Sequence, residues 1–261
     1  IVIFMHLKFS KYHGTGNDFI IIDNRTNQFN NDDVDLISAL CERRMGIGAD
    51  GLILLQEHCE LDFEMKYFNS DGKESTMCGN GGRCIVDFAS HLGIITNETI
   101  FMAVDGQHKA KILDDMISLQ MQDVSDIRLM DHALFLDTGS PHYVTVVDNL
   151  EILDINKEGK KINQFKDFKD KGVNVNFIFE DDLLRIRTYE RGVNQETLSC
   201  GTGAVASAIA MHYTGSLHEN SVNIETRGGG LKVSFDCFRH SYKNIWLTGQ
   251  VSMVYAGEFV C

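Results

Sequence analysis

The feature that most constrains this chain is that it is written twice. Tyr67-Phe68-Asn69-Ser70-Asp71-Gly72-Lys73-Glu74-Ser75-Thr76-Met77-Cys78-Gly79-Asn80-Gly81 is echoed by Tyr189-Glu190-Arg191-Gly192-Val193-Asn194-Gln195-Glu196-Thr197-Leu198-Ser199-Cys200-Gly201-Thr202-Gly203. Tyr, Glu, Cys, Gly and Gly recur at identical offsets. The register persists outward: Thr15-Gly16 precedes Cys78 as Thr138-Gly139 precedes Cys200, and Gly106 follows the first cysteine as Gly228-Gly229-Gly230 follows the second. Three matches in register argue a tandem duplication. The boundary is placed near residue 125, giving an N-terminal lobe of residues 1–125 and a C-terminal lobe of residues 126–261, each of ordinary domain size. No Pro/Ser-rich linker marks the junction.

The local pattern repeats as well. Short β-branched and aromatic runs at residues 19–22, 52–55, 63–68, 117–121, 143–147, 175–179, 183–189 and 231–235 read as strands. One clear helix starts directly after each repeated cysteine. Residues 79–92 close with Gly93, and residues 201–213 close with Gly215. Within residues 204–211 only Ser207 is polar, and a helix apolar on every side is buried on every side. The expected fold is α/β (α+β): two homologous lobes related by a pseudo-twofold, each a mostly antiparallel sheet curled around a central helix. Residues 32–44 read as an additional amphipathic surface helix capped by Asn31 or Asp32.

Composition narrows the function classes. With 24 Lys+Arg against 37 Asp+Glu, the net charge of −13 repels phosphate backbones, so neither nucleic acid nor an anionic membrane surface is an expected partner. No apolar run approaches the roughly 18 residues that span a bilayer. The opening Ile1-Val2-Ile3-Phe4 is too short for a signal sequence, and Met5 is a candidate natural start. Seven cysteines, an odd number without regular spacing, fit reduced thiols in the cytoplasm better than a secreted disulfide framework. There is no CxxC and no Cys/His pair at finger spacing, so no metal is expected.

Cys78 and Cys200 stand where a helix begins, and there the dipole and the unpaired N–H groups favour negative charge. A thiol so placed can ionise near neutral pH. The N–H groups of Gly79, Asn80, Gly201 and Thr202 can receive a carboxylate, and the glycine after each cysteine lets a ligand approach the backbone. Two such termini facing one carboxylate would set a sulfur on either side of the carbon next to it. That is an arrangement for two-base inversion: one thiolate removes the α-proton and the opposite thiol supplies another. Cys41, Cys59, Cys84, Cys237 and Cys261 read as ordinary small residues.

His13-Gly14-Thr15-Gly16-Asn17-Asp18-Phe19, Gly46-Ile47-Gly48-Ala49-Asp50-Gly51, Cys78-Gly79-Asn80-Gly81-Gly82-Arg83-Cys84, Tyr189-Glu190-Arg191-Gly192 and Cys200-Gly201-Thr202-Gly203 together resemble the diaminopimelate epimerases. The resemblance runs from about Met5 to the C-terminus. It implies conversion of LL-2,6-diaminopimelate to the meso isomer, without pyridoxal phosphate or metal, feeding lysine and peptidoglycan synthesis. It also implies a homodimer and a last strand, residues 251–259, that returns to the first lobe. By this resemblance Cys78 and Cys200 are the acid/base pair, and Gly79-Asn80 and Gly201-Thr202 hold the reacting carboxylate. Asn17, Asn69, Asn174 and Arg191, with Glu190, hold the distal amino-acid head, and His142 and Glu190 assist at the catalytic centre. A guanidinium fork suits a distal carboxylate, and Asn and Glu oxygens suit a distal ammonium.

Bland alternatives stay open for several of these residues. Asn69 precedes a Ser-Asp-Gly turn, Asn174 could pair a strand edge, Arg191 could be a solvated loop charge, and His142 beside Pro141 could simply pack. The chain also departs from many family members, with Ser140 in place of Asn and Gly51 in place of Gln; Thr202 stands for a common Ser and keeps the hydroxyl.

Other functions fit less well. Gly46-Ile47-Gly48-Ala49-Asp50-Gly51 formally satisfies the dinucleotide pattern, but a strand-like run follows it where a helix is required. A racemase of proline, histidine or another amino acid on the same fold is the nearest alternative. A thiol-disulfide redox protein lacks its CxxC, and a non-catalytic amino-acid binder has no use for two thiols at helix starts.

Overall fold

A computed structural model describes residues 6–260. The candidate start at Met5 and the cysteine at position 261 lie outside them. Two compact units divide the chain: one runs to Leu119 and takes in the chain again from Gln250, and the other is Gln120–Gly249.

In the first unit the order is β1 (His6–Gly14), β2 (Asn17–Asp23), α1 (Val34–Cys41), β3 (Gly51–Gln56), β4 (Glu64–Asn69), α2 (Gly79–His91), β5 (Glu98–Ala103), β6 (Gly106–Leu113) and β7 (Met116–Gln120). Neighbours pair β1–β2 antiparallel, β2–β3 parallel, β3–β4 antiparallel, β4–β5 parallel, then β5–β6 and β6–β7 antiparallel. Each parallel step is crossed by a helix, α1 and then α2, as parallel pairing requires a long connection.

In the second unit the order is β8 (Ile127–Met130), β9 (Ala133–Asp137), β10 (Pro141–Val146), α3 (Ile155–Ile162), β11 (Asn174–Glu180), β12 (Leu184–Glu190), β13 (Gln195–Thr197), α4 (Gly201–Tyr213), β14 (Ser221–Thr226), β15 (Gly229–Phe238) and β16 (Ser241–Val260). From β9 the polarity repeats that of the first unit. The pair β9–β10 is antiparallel, β10–β11 parallel, β11–β12 antiparallel and β12–β14 parallel, and β14–β15 and β15–β16 are antiparallel. Helices α3 and α4 cross the parallel steps as α1 and α2 do. The duplication read from the cysteine motifs thus extends to the strand polarity.

Strands β2, β3 and β11 are buried on both faces, which explains their unbroken apolar runs, whereas β5 and β14 alternate buried and exposed residues. Ile20, Ile22, Leu52 and Leu54 pack with Ile37 and Leu40 of α1. Phe19 and Ile53, one residue out of phase, point to the other face against Gly81 of α2. In the second unit Val175, Phe177 and Tyr189 meet Ile155 and Ile162 of α3. Val144, Ile178, Leu184 and Ile186 enclose α4, whose residues from Ala204 to Met211 are all buried. A buried branched side chain stabilises by about 1.5–3 kcal/mol, so these interiors dominate each unit.

Two helix expectations change. The amphipathic segment is helical only over Val34–Cys41, and its N-cap is Asp33, whose carboxylate accepts from Leu36 N at 3.0 Å. The chain leaves the helix at Glu42, which adopts extended backbone. Helix α3 was not expected at all: it buries only Ile155, Gly159 and Ile162, and Gly159 is there because a Cβ would stand 2.3 Å from the Tyr189 ring.

The last strand, β16, pairs with β15 over its first part. Beyond that it pairs with β1, in a register from Gly14↔Val251 to His6↔Val260 with a bulge at Lys11/Tyr12. No helix among the described residues is long and apolar enough to cross a membrane.

Candidate active site

Cys78 is the N-cap of α2 and Cys200 the N-cap of α4; both have extended backbone, and neither side chain caps its own helix. A sulfur that does not turn back to cap is directed away from its helix, and the first-turn N–H groups lie beside it. The Cys78 carbonyl accepts from Gly82 N at 2.7 Å and the Cys200 carbonyl from Ala204 N at 2.9 Å, so both helices open alike. Gly79, Asn80 and Gly201 are buried within these openings. The other buried thiols are suppressed: burial pushes Cys41 up to about 12 and raises Cys84 well beyond its ordinary range.

The side chains around the two sulfurs differ. In the first unit Cys78 Sγ donates to Asn17 Oδ1 at 3.6 Å, and Asn80 Nδ2 donates to the same oxygen at 3.3 Å. Asn17 Nδ2 donates to Asp50 Oδ2 at 2.7 Å. Asp50 is in turn held by Arg43 at 2.6 Å, and Arg43 and Lys11 clamp Asp18 at 2.7 Å each. Burial alone would raise the Asp18 carboxyl. The hydrogen bonds and charges of Arg43 and Lys11 overcome that and hold it well below the usual carboxylate range.

Behind the opening of α2 lies Arg83, fully buried. It donates to Gly79 O at 3.2 Å and to Asn80 Oδ1 at 2.9 Å, while its Nε has no partner. Among the described residues no carboxylate pairs with it, and burial lowers its pKa. Val205 holds the matching place in α4.

In the second unit a connected chain of polar side chains runs to the sulfur. Thr188 Oγ1 donates to Asn176 Oδ1 at 2.9 Å, and Asn176 Nδ2 lies 2.9 Å from His142 Nδ1. His142 Nε2 lies 3.0 Å from Thr202 Oγ1, which is 3.5 Å from Cys200 Sγ. Thr138 Oγ1 ties the β9–β10 turn to the same helix start by donating to Thr202 O at 2.9 Å. His142 is fully buried, and burial, together with the Arg191 charge, lowers its pKa to about 3.

A second cluster forms where β10 and β11 begin and β12 ends. Asn174 Nδ2 donates to Ser140 Oγ at 2.8 Å and Asn174 Oδ1 accepts from Arg191 N at 2.8 Å; Arg191 Nη2 reaches Ser140 Oγ at 3.4 Å. The parallel register places His142 directly beside Asn174. Glu190 accepts from Thr197 Oγ1 at 2.6 Å. Asn69 ends β4, and its backbone closes the turn with Gly72 and Lys73 while its amide is exposed.

The structure therefore brings Asn17, Cys78, Gly79 and Asn80 together in one unit. In the other it joins His142, Cys200 and Thr202, with Asn174 and Arg191 nearby. Four residues beside these clusters were not singled out in the sequence: Asp50, Arg83, Ser140 (noted only as a departure) and Asn176. Asn176 carried a readable signal, since it lies two residues from Asn174 and strand alternation puts both on one face. No cluster of three or more His, Cys, Asp or Glu that could hold a metal occurs among the described residues.

Comparison with known proteins agrees with this architecture. A family model described as diaminopimelate epimerase matches residues 9–125 and again 134–254. The diaminopimelate epimerase of Flavobacterium psychrophilum is 51% identical over 252 residues, covering 95% of this chain and 98% of the relative. That of Aquifex aeolicus is 36% identical over 273 residues, covering 97% of each. Among solved structures, a phenazine biosynthesis protein of the PhzF family from Bacillus anthracis superposes with a TM-score of 0.77 at 12% identity, over 98% of this chain and all of that one. A hydroxyproline epimerase from Agrobacterium vitis gives 0.67 at 16% identity, over 98% and 92%, so these two share the fold alone. Two matches of the family model, one in each half, and full-length relatives decide the assignment: the chain belongs to the diaminopimelate epimerase family, isomerases of lysine biosynthesis.

Proposed function

We propose that the chain converts LL-2,6-diaminopimelate to meso-diaminopimelate by two-base catalysis, with Cys78 and Cys200 as the acid/base pair and no cofactor. The observation that carries this reading is the repeated placement of a cysteine as N-cap of a buried helix. One thiolate removes the α-proton, and the other thiol delivers a proton to the opposite face of the carbon. The N–H groups at Gly79-Asn80 and Gly201-Thr202 bind the α-carboxylate and steady the charge that builds on it as the proton leaves. His142 and Glu190 support the centre. Asn17, Asn69, Asn174, Glu190 and Arg191 recognise the distal head: Arg191 answers its carboxylate, and the amide and carboxylate oxygens answer its ammonium.

Incubation with LL-diaminopimelate in D2O tests the reading. Deuterium must appear at the α-carbon together with the meso isomer; a protein that only binds the compound, or only cycles thiols, leaves its α-hydrogen in place. A racemase of proline or histidine would instead act on those amino acids and leave diaminopimelate untouched.

The same reading places the product in lysine and peptidoglycan synthesis and the enzyme in the cytoplasm, as a homodimer. All six described cysteines are unbridged, as a reducing compartment favours. Met253, Val254, Tyr255 and Val260 of β16 are exposed apolar side chains on one strand, a surface suited to a second copy of the chain.

A further inference from the structure

We propose that Asn176 is a positioning residue for Cys200: its amide fixes His142 in the neutral form protonated on Nε2, so that His142 and Thr202 together aim a hydroxyl hydrogen at the sulfur. The inference rests on the reading of Cys200 as one of the two bases.

The polarity follows link by link. The first turn of α4 presents N–H groups without intrahelical acceptors, so an oxygen is favoured beside it. Asn176 Oδ1 lies against that turn: a Cβ on Gly203 would stand 2.4 Å from it and 3.3 Å from Cys200 Sγ. Thr188 Oγ1 donates to the same oxygen at 2.9 Å. Asn176 Nδ2, which can only donate, is therefore turned to His142 Nδ1 at 2.9 Å. A nitrogen that accepts carries no proton, so the proton of the neutral imidazole sits on Nε2. Nε2 then donates to Thr202 Oγ1 at 3.0 Å, and the threonine hydrogen is left to point at Cys200 Sγ, 3.5 Å away. A donor aimed at sulfur favours the thiolate.

At Cys78, in the first unit, the bond runs the other way. There the sulfur faces the carbonyl oxygen of Asn17, an acceptor, which favours the thiol on Cys78. The charged groups near the two systems are Arg191, which acts on His142, and Arg83, which acts on Cys78. Neither is a hydrogen-bond partner of His142, whose ring nitrogens meet Asn176 and Thr202, so neither sets its tautomer.

Two measurements on the intact protein test this, and neither uses diaminopimelate, so they stand apart from the test of the epimerase activity. The first is long-range proton–nitrogen NMR of protein labelled with 15N-histidine, with His142 assigned by loss of its signals in His142→Gln. Protonated Nε2 and unprotonated Nδ1 across about pH 5 to 8 are expected; the reverse tautomer overturns the proposal, because every bond in the chain would then run the other way. The second is the pH dependence of iodoacetamide alkylation at Cys200 and Cys78, followed by peptide mapping. In Asn176→Leu the midpoint at Cys200 should rise by about one pH unit while that at Cys78 stays in place. Equal profiles for parent and variant at Cys200, or equal shifts at both cysteines, overturn it. Because the NMR experiment uses the parent chain, a variant that fails to fold does not shield the proposal.

Discussion

Asn17 and Asp50 are joined by a 2.7 Å hydrogen bond that has only one possible polarity, amide nitrogen to carboxylate. The carbonyl of Asn17 is thereby fixed toward Cys78 and Asn80. Replacing Asp50 with Asn removes the constraint, since a second amide can meet Asn17 in either orientation. We expect Asp50→Asn to fold normally by circular dichroism and to lose roughly 10–100-fold in kcat/KM, the range of one misdirected hydrogen bond. Unchanged kinetics would remove Asn17 from the site.

On the proposed two-base reading, the two cysteines divide one reaction. Cys78→Ala and Cys200→Ala should each abolish epimerisation, because inversion needs a donor opposite the base. Each variant retains one sulfur at a helix N-terminus and should still exchange the α-hydrogen slowly in D2O without inversion, one preferring the LL and the other the meso isomer. Proton NMR of both isomers with both variants decides it. A variant that still epimerises would make the mechanism one-base.

Arg191 is exposed and extends from the end of β12 beside Asn174 and Ser140. Lysine cannot reproduce the planar fork, so Arg191→Lys should raise KM roughly 10–100-fold with a smaller change in kcat. L-Lysine, which lacks the distal carboxylate, should be a very poor substrate of the parent enzyme. Comparable kcat/KM for L-lysine and LL-diaminopimelate would detach Arg191 from the distal carboxylate.

Asp18 gives the first unit an acid-sensitive anchor. Its carboxyl is held below the ordinary range in the folded state, so the unfolded chain binds the proton more readily as the pH falls. The stabilisation is complete above about pH 4 and is lost progressively below it. Asp18→Asn should flatten that part of the acid unfolding curve. It should also destabilise at neutral pH by about 3–5 kcal/mol, because buried Lys11 loses its carboxylate. Urea titrations from pH 2.5 to 7 measure both, and an acid limb as steep in the variant as in the parent would contradict the assignment.

His142 behaves in the opposite sense to a surface histidine. With a folded pKa near 3, it stays neutral while the unfolded chain protonates near 6.5, so its contribution is full above that value and fades between about pH 6.5 and 3. No titration of its NMR signals is expected between pH 5 and 8; a midpoint inside that window would show that it is not sealed.

The parts that were legible in the sequence had strong, redundant signals. Helix α4 combines a run of buried alanines and branched residues with a glycine on either side, and α2 shares its motif, so both ends of both helices could be read. Helix α3 was hidden because Lys157, Glu158, Lys160 and Lys161 outnumber its three buried positions, and a glycine stands where a helix former is expected. The buried Arg83 was missed for a related reason: arginine reads as a surface residue, and only the tertiary packing reveals that no carboxylate among the described residues accompanies it. Ser140 and Asn176 are short polar residues in strand-like surroundings, where composition gives no hint that their partners are a histidine and an arginine far along the chain.

Strand β16 has a consequence for how the molecule is made. Residues 251–260 supply the partner of β1, yet the ribosome produces them only after the whole second unit. Until then Leu7 and Phe9, buried in the finished fold, belong to a strand with one unpaired edge. The first unit is begun earliest and completed last, so a chain cut short before Gln250 loses part of the fold that its N-terminal half depends on, although every catalytic motif has already been translated.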